Sequence, residues 1–490
     1  MSIASVLKVG GKPDNLGQSV NVETRVVEPQ AFTDETCRFN LPRSGILDNN
    51  AYITISLTAV DASRNLPLFA GITGCIETAT LMYENNVIAQ TRDVNSYMSL
   101  KSWYRVPSKR KQVMNSRVGS FQDFMVETGA NGVQGQYALD KNINGVDIVA
   151  AGNFAIDSAF KLGTTAATTP EFRIYLSSLF PLFYNQIQLP LGLLGQFSVV
   201  LDFAPDRAGN RVTTLSGNNF AAGNKLVEEK MKLVCDLIYF DDEPDEVPVM
   251  EKLQAEMAKG LNLTYTDNVN VKISNAFPAI TVAAGQKTQQ ETSQILGLNN
   301  QIVRKIFASV CPQPNFAASP QVPANNIAGN FVSEATMSSD ETVQLTINNH
   351  PVYPSPVDLD ARIWQELCEC EAGATHNIPC GMSSFEGQTS ITPATLYNAD
   401  ISQNFGNNHT IFGHQFNELN GVGHYYGINL SKGSENEPGM GTAIDSNNPV
   451  VWRQTRGRTQ QKNGKYDLFL WAECERQMTM RNGNVIISGS

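Results

Sequence analysis

Apolar and polar residues alternate through a central stretch of the chain, residues 231–240. One side of this stretch carries Leu233, Cys235, Leu237 and Tyr239. Alternation with a period of two predicts a β-strand that has one face in a core. A cluster of acidic residues surrounds Pro244 just after it. Because proline cannot donate a hydrogen bond to a β-ladder, we expect the strand to end there.

A helical pattern follows the acidic cluster, between Val247 and Lys259. Apolar residues recur there at a spacing of four, at Val249, Leu253 and Met257. Gly260 comes next, at the position where many helices end on a glycine. A strand, an acidic stop, a helix and a glycine in this order are typical of a junction between domains. Nearly equal lengths of chain lie on either side, so residues 247–259 are predicted to link two separately cored sandwiches.

Further short alternating segments lie on both sides of this predicted linker. Those before it are residues 37–41, 52–58, 75–83, 87–90, 172–176 and 195–203. Those after it are residues 261–265, 269–273, 301–307, 342–347, 424–430, 450–453, 466–475, 478–480 and 485–488. The last two are joined by the strongest hairpin turn signal in the chain, at 481–484. Short strands separated by turns, occurring in two successive groups, predict an all-β fold of two antiparallel sandwiches or barrels. Short helices are predicted at 92–104, 177–186 and 359–371.

Three regions lack a clear period. Residues 1–30 are polar, which predicts an N-terminal arm that belongs to neither core. Residues 120–169 and 373–420 are rich in small and polar residues and are predicted to be long loops. The predicted organisation is an arm at 1–30, a first domain at 31–246, a linker helix at 247–259 and a second domain at 260–490.

The composition fits two globular domains. The chain has 490 residues, of which 41% are hydrophobic and 17% charged, and single cores stop growing at about 250 to 300 residues. Its net charge of −11 argues against a protein that wraps nucleic acid. No apolar run has membrane-spanning length, and the first residues lack the pattern of a signal peptide. Eight cysteines, scattered singly, favour a reducing compartment over a disulfide framework.

One group of residues has the composition of a metal site: Cys368, Cys370, His376 and Cys380. Two cysteines one residue apart at a predicted helix end point to different faces, which tetrahedral zinc disfavours, so free or buried thiols are the favoured interpretation. His409, His414 and His424 lack the His-x-His pair of a cupin metal site and are interpreted as loop or surface residues. The sequence has neither a phosphate-binding glycine loop nor a hydrolase motif. We therefore expect no catalytic, cofactor-binding or metal site.

Charged residues form two further patterns. Glu473 and Glu475 share one face of a predicted strand, as a glycosidase pair could, but a charged outer face is the favoured interpretation. One basic run comprises Arg105, Lys109, Arg110, Lys111 and Arg117, and another comprises Arg453, Arg456, Arg458, Lys462 and Lys465. Either run could contact nucleic acid or the acidic residues of a neighbour, and a solvated loop is the favoured interpretation.

Several segments, in their order and spacing, carry a resemblance to a known family. In the first half they are residues 39–48, 52–58, 71–81, 87–88, 95–97, 176–182 and 189–195. In the second half they are residues 427–431 and 478–488. Together with the central linker, this succession resembles the double jelly-roll major capsid proteins of Polinton-like viruses and virophages, in the lineage of the adenovirus hexon.

The resemblance implies two consecutive antiparallel eight-stranded jelly rolls with a few short helices and long loops. It implies a structural virion protein, assembled inside the infected host cell, whose homotrimers form pseudo-hexameric capsomers that tile an icosahedral shell. The implied partners are neighbouring capsomers, penton and minor capsid proteins and, weakly, packaged DNA, with no small-molecule substrate. The long loops would then face outward. We expect loop aromatics to reach a neighbouring subunit, and the candidates are Phe121, Phe124, Phe154 and Phe160.

Two other classes of function stay open for tandem sandwiches. One is a carbohydrate-binding lectin or adhesin, and the other is a jelly-roll glycosidase or cupin enzyme. A secreted lectin or glycosidase is expected to carry a signal peptide and usually paired cysteines, and a cupin is expected to carry its histidine pair. The sequence lacks these features, which favours the structural class.

Overall fold

The fold is seen in a computed structural model of the chain. It describes residues 19–60, 66, 71–98, 162–184, 188–205, 223–241, 249–283, 285–312, 338–359, 370, 410–411, 414–415, 426–431, 441–447, 449–458 and 464–488. Within these ranges, no helix combines the length and the apolar character that a membrane crossing requires.

The first half of the chain is built from short strands. They are β1 (Ser19–Val27), β2 (Ala31–Phe32), β3 (Thr36–Asn40), β4 (Ile46–Leu47), β5 (Tyr52–Ile55), β6 (Leu57–Thr58), β7 (Ile76–Tyr83), β8 (Asn86–Arg92), β9 (Phe172–Tyr175), β10 (Phe197–Phe203), β11 (Lys225–Leu226) and β12 (Lys232–Asp241). Two one-turn helices follow β9, namely α1 (Leu176–Leu179) and α2 (Pro181–Tyr184). Residues 94–98 are also helical.

The second half begins with helix α3 (Val249–Lys259) and continues as strands. They are β13 (Leu261–Phe277), β14 (Thr288–Leu296), β15 (Ile302–Pro312), β16 (Ser338–Ile347), β17 (His350–Pro351), β18 (Val357–Leu359), β19 (Thr410–Ile411), β20 (His414–Gln415), β21 (Tyr426–Asn429), β22 (Thr442–Ala443), β23 (Val450–Arg458), β24 (Tyr466–Arg481) and β25 (Asn484–Ser488).

Both halves pair their main strands in the same order, and all of these pairings are antiparallel. In the first half, one sheet has the order β1-β12-β5-β9 and the other contains β3-β10-β7-β8. In the second half, the corresponding sheets are β13-β24-β15-β21 and β14-β23-β16-β17. With eight main strands numbered along each half, both sandwiches therefore have the sheets 1-8-3-6 and 2-7-4-5. This is the jelly-roll arrangement, formed twice by one chain.

The repeated order corrects the prediction for the N-terminal arm. β1 pairs with β12 over its whole length, from Ser19 opposite Asp241 to Val27 opposite Leu233. It occupies the position that β13 has in the second jelly roll. The sequence pattern hid this strand because it lies at a sheet edge and is largely exposed, so polar residues are tolerated along it.

The predicted linker helix forms α3, and its three apolar residues are the buried ones: Val249, Leu253 and Met257. Gly260 follows with a φ of +97°, a left-handed conformation that favours glycine at a helix end. The prediction of two separate cores is wrong in one respect. The apolar cluster of the first jelly roll continues through α3 into residues of the second, among them Leu263 and Trp471. A further cluster lies wholly within the second jelly roll.

Other predictions differ in extent from the structure. Residues 261–265 and 269–273, predicted as two strands, belong to the single strand β13. The strand β14 was not predicted, because Thr288–Leu296 carries few apolar residues. Most of the predicted loops at 120–169 and 373–420, and most of the predicted helix at 359–371, lie outside the described residues.

The pairing of β1 with β12 gives a prediction for stability. Deleting Ser19–Val27 should lower the free energy of unfolding by several kcal/mol, since each net backbone hydrogen bond contributes about 1 kcal/mol. It should also promote aggregation, because the edge of β12 would be left unpaired. Urea unfolding and light scattering would measure both effects. Glu23→Gln, which changes only an exposed side chain, is the control. An unchanged urea midpoint in the deletion variant would contradict the role of β1.

Candidate functional site

Strand β24 is buried on both of its faces. Leu468, Leu470, Ala472 and Cys474 belong to the internal core of the second jelly roll. Phe469 and Trp471 point the other way and join the cluster of the first jelly roll. A strand covered on both sides has a nearly continuous apolar sequence, and residues 468–472 read Leu-Phe-Leu-Trp-Ala. β24 is thus one of the strands through which the two jelly rolls meet, together with β13 and β15.

Trp471 lies at the centre of this contact and is fully buried. Its ring stacks on Phe307 of β15, with centroids 5.1 Å apart and an interplanar angle of 15°. The ring of Tyr97, from the helical turn after β8, approaches Trp471 edge-on at 6.2 Å and 73°. Edge-to-face and offset stacked contacts of this kind contribute about 0.5–1.5 kcal/mol each beyond the burial of area.

Two asparagines of β13 add polar contacts across the junction. Nδ2 of Asn268 donates to the Tyr97 hydroxyl at 2.5 Å, and both residues are buried. Nδ2 of Asn270 donates to the backbone carbonyl of Arg92 at 2.6 Å. Because a buried polar group without a partner costs about 1–3 kcal/mol, the buried bond between Asn268 and Tyr97 favours one relative position of the two jelly rolls over others.

A third contact joins the first jelly roll to the β24–β25 hairpin. The Tyr83 hydroxyl donates to the carbonyl of Gly483 and accepts from the backbone N–H of Gly195. Asn482 and Gly483 have φ values of +48° and +75°, which suit the tight turn predicted for residues 481–484. The turn therefore places the Gly483 carbonyl where it can accept a hydrogen bond from Tyr83 of the first jelly roll.

Charged residues border the apolar junction. Burial raises the pKa of the Asp93 carboxyl, and Lys272 of β13 and Arg92 oppose that shift. Within the second jelly roll, Arg476 lies 2.9 Å from Asp267. Burial raises the pKa of Asp267 as well, against the attraction of Arg476. Asp93 and Lys272 thus place opposite charges on the two sides of the junction.

The second basic run is not a solvated loop over its first part. Arg456 and Arg458 are fully buried because β23 turns every second residue inward, whereas Arg453 is exposed. Both guanidinium groups lie over the ring of Tyr466, at 4.3 and 4.8 Å from its centroid. Arg456 is also 3.6 Å from the buried carboxylate of Glu341. These two arginines are therefore unavailable to nucleic acid or to a neighbour.

The pair Glu473 and Glu475 does not form a charged outer face. Glu475 is buried and lies 3.6 Å from Arg304, and Glu473 is half-buried. The prediction failed because Glu473 and Glu475 lie on the same strand face as the buried Phe469 and Trp471, and Arg304 of the second jelly roll lies beside Glu475.

Of the cysteines in the candidate metal group, the structure describes Cys370, which is buried, and Cys37, Cys75, Cys235 and Cys474 elsewhere are buried free thiols as well. Burial raises the pKa of Cys37 and of Cys474 to about 12 and that of Cys235 to about 11, so these cysteines are protonated and unreactive. Cys370 is a buried free thiol, and its backbone carbonyl accepts a hydrogen bond from Nζ of Lys305 at 2.5 Å. Among the described residues, no group of three or more potential ligands could hold a metal ion.

Several candidate residues lie outside the described ranges. They are Cys368, His376, Cys380, His409, His424, Lys462, the basic run at 105–117 and the four loop phenylalanines Phe121, Phe124, Phe154 and Phe160. Of the residues that form the junction, Tyr97, Gly195 and Gly483 lie in segments that carried the resemblance, whereas Trp471 and Phe307 do not. The apolar run at 468–472 was the signal that could have identified Trp471, since alternation alone would leave one face polar.

No family model and no curated protein matches the chain. Solved structures, in contrast, match nearly all of it. The structure of PBCV-1 VP54 fitted into a reconstruction of the virophage Sputnik has a TM-score of 0.56 at 10% identity, over 96% of this chain and 97% of that one. A quasi-atomic model of the PBCV-1 virus capsid gives 0.56 at 8% identity, over 96% and 97%. A cryo-EM structure of the Sputnik virophage gives 0.54 at 15% identity, over 96% and 88%. At such identities the likeness is one of fold: the chain is a double jelly roll.

Trp471 is predicted to couple the two jelly rolls. Replacing it by alanine should lower the free energy of unfolding by about 3–5 kcal/mol and divide unfolding into two transitions. Tyr97→Phe should cost about 1–3 kcal/mol, because the Asn268 amide loses its partner. Differential scanning calorimetry resolves the transitions. Trp452→Ala, within the core of the second jelly roll, is the control that destabilises without separating the units. A single transition in Trp471→Ala would contradict the coupling.

The buried arginines give a prediction with a matched control on the same strand. Arg456→Met should lower the free energy of unfolding by about 3–5 kcal/mol, since Glu341 would stay buried after losing Arg456. Arg453→Met should change it by no more than about 0.5 kcal/mol, because Arg453 is exposed. Urea unfolding compares the two variants. Equal effects would show that Arg456 is not held in a buried ion pair.

Proposed function

We propose that this chain is a major capsid protein, and that three copies of it form a pseudo-hexameric capsomer of an icosahedral shell. The observation that carries the proposal is the repeated strand order of two jelly rolls that are fused through the Trp471 contact. The likeness in fold to the PBCV-1 virus capsid supports it. The proposed location is the virion, with assembly inside the host cell.

The geometry suits a tile with a near-sixfold outline. Two units of one topology in each chain supply six similar lobes when three chains meet around an axis. A head-to-tail contact closes into a ring when its rotation matches the symmetry, so one gene can supply a hexagonal block. The fixed junction is what keeps the two lobes of each chain at a constant angle.

The proposed division of the chain follows the sheets. The first jelly roll comprises β1 to β12, so it begins at Ser19 and not at residue 31. The proposed linker at 247–259 contains helix α3 (Val249–Lys259), and the second jelly roll is proposed to run from residue 260. Residues 1–18 remain the proposed arm.

The proposed partners are other copies of the chain, first within the trimer and then in neighbouring capsomers. Penton and minor capsid proteins are further proposed partners. The burial of Arg456 and Arg458 and the net charge of −11 argue against extensive DNA contact. The work of the protein is proposed to lie in its surfaces and not in catalysis. No observation favours the lectin, glycosidase or cupin alternatives.

The proposal predicts the mass and the shape of the particle. Purified protein should have three times the 53.6 kDa mass of one chain by size-exclusion chromatography with light scattering. The trimer should persist on dilution, because permanent interfaces bury more than about 2,000 Å². Negative-stain electron microscopy should show six-lobed, roughly hexagonal particles. A stable monomer that binds sugars would instead support the lectin.

A further inference from the structure

One row of side chains across the sheet β13-β24-β15-β21 is polar, although it lies next to the row that contains Trp471. Strand register places Asn268, Glu473, Lys305 and Asn429 side by side in this row, one from each strand. Lys305 is only 8% exposed, and Glu473 and Asn429 are half-buried. Lysine is seldom buried to this degree, because its charge is costly to remove from water. The two neighbours of Lys305 in the row therefore bear on its chemistry.

Lys305 and Asn429 occupy the closer of the two kinds of position in an antiparallel ladder. The backbone N–H of Leu430 donates to the carbonyl of Arg304 at 2.8 Å. Hydrogen-bonded and non-hydrogen-bonded pairs alternate, so the adjacent pair, Lys305 and Asn429, is a non-hydrogen-bonded one. In such pairs the Cα atoms are about 4.5 Å apart and the side chains approach most closely. The Lys305 side chain is therefore long enough for its Nζ to reach Cγ of Asn429.

Both side chains are held by hydrogen bonds to the backbone. Oδ1 of Asn429 accepts from the N–H of Ser431 at 3.0 Å, which orients the amide. The same N–H is placed to stabilise negative charge that develops on Oδ1 during an attack on Cγ. Nζ of Lys305 donates to the carbonyl of Cys370 at 2.5 Å, and Cys370 is itself buried. That bond uses one of the three N–H groups of the ammonium.

We propose that Lys305 and Asn429 form an intramolecular isopeptide bond, with Glu473 carrying protons. The Nζ–Cγ bond forms and the Cγ–Nδ2 bond of Asn429 breaks. Of the three protons on the Lys305 ammonium, one stays on the new amide nitrogen. The other two pass by way of the Glu473 carboxylate to Nδ2, which leaves as ammonium. Glu473 is unchanged at the end, and the step needs neither an oxidant nor a cofactor.

The position of Glu473 suits this role. It lies opposite Lys305 on β24, and the Cβ atoms of such a pair are about 4.5–5.5 Å apart. An amine is nucleophilic only after it has lost a proton, which a carboxylate at this distance can accept. The adjacent row contributes the buried rings of Phe307 and Trp471, which exclude water from one side. Exclusion of water favours proton transfer, because two neutral groups cost less to bury than two charges.

The other asparagine of the row is a poorer acceptor for Lys305. Asn268 lies two strands away, beyond Glu473, and its Nδ2 donates to the Tyr97 hydroxyl. Asn429, in contrast, is the direct neighbour of Lys305. The geometry thus selects one acceptor from two residues of the same type.

A bond between Lys305 and Asn429 would join the short strand β21 covalently to the middle of its sheet. A cross-link between residues far apart in sequence restricts the unfolded chain, as a disulfide does. Unlike a disulfide, an amide bond persists in a reducing compartment. The inference does not rest on the proposed capsid function.

The mass of the intact chain tests the inference. The denatured wild-type protein should be lighter than its sequence by the mass of one ammonia, and peptide mapping should recover a branched peptide that joins Lys305 to Asn429. Lys305→Met and Asn429→Ala should each have the full mass. Glu473→Gln should leave most chains at full mass, because the proton carrier is lost. Lys272→Met is the matched control, since Lys272 is an exposed lysine of the same sheet, and it should keep the mass loss.

The branched peptide distinguishes the cross-link from a succinimide, which also forms from asparagine with loss of ammonia. A branched peptide in the wild type and in Lys272→Met, absent from Lys305→Met, supports the inference. A wild-type chain at full mass overturns it, whether or not the variants fold. A mass loss that persists in Lys305→Met overturns it as well. Complete cross-linking in Glu473→Gln overturns the role of that carboxylate.

Discussion

Coverage of β24 on both faces is the constraint on which the rest of the structure depends. An antiparallel sheet in a sandwich needs only one apolar face, and the other can meet water. In this chain, Trp471 and Phe307 make the second face apolar as well, so the second jelly roll cannot expose that face without a large cost. The first jelly roll covers it, and the cores of the two units merge there. The two jelly rolls therefore share one continuous apolar cluster.

Polar groups give that apolar contact its geometry. Hydrophobic burial is non-directional and would accept many relative orientations of two sheets. The hydrogen bonds of Asn268 to Tyr97 and of Tyr83 to Gly483 have fixed lengths and directions, and each would leave a buried group unsatisfied if the units turned. The residues that hold the units together and the residues that orient them are thus different in kind.

The sequence predicted the parts of the fold that follow from periodicity. The central strand, helix α3 with Val249, Leu253 and Met257 buried, and the turn at Asn482 and Gly483 were all read from local patterns. β1 and β14 could not be read, because both are edge strands and neither needs strict alternation. The site was predicted least well. Which face of β24 is covered depends on a domain that lies several hundred residues away in sequence.

The prediction that the basic run at 453–465 forms a solvated loop was wrong for a related reason. A basic run such as 453–458 is normally solvated, and nothing local shows that β23 turns Arg456 and Arg458 towards a core. Only the partners make burial tolerable, namely the ring of Tyr466 and the carboxylate of Glu341, which come from other strands. Such pairing joins residues that are far apart in sequence, so a short segment of sequence cannot predict it.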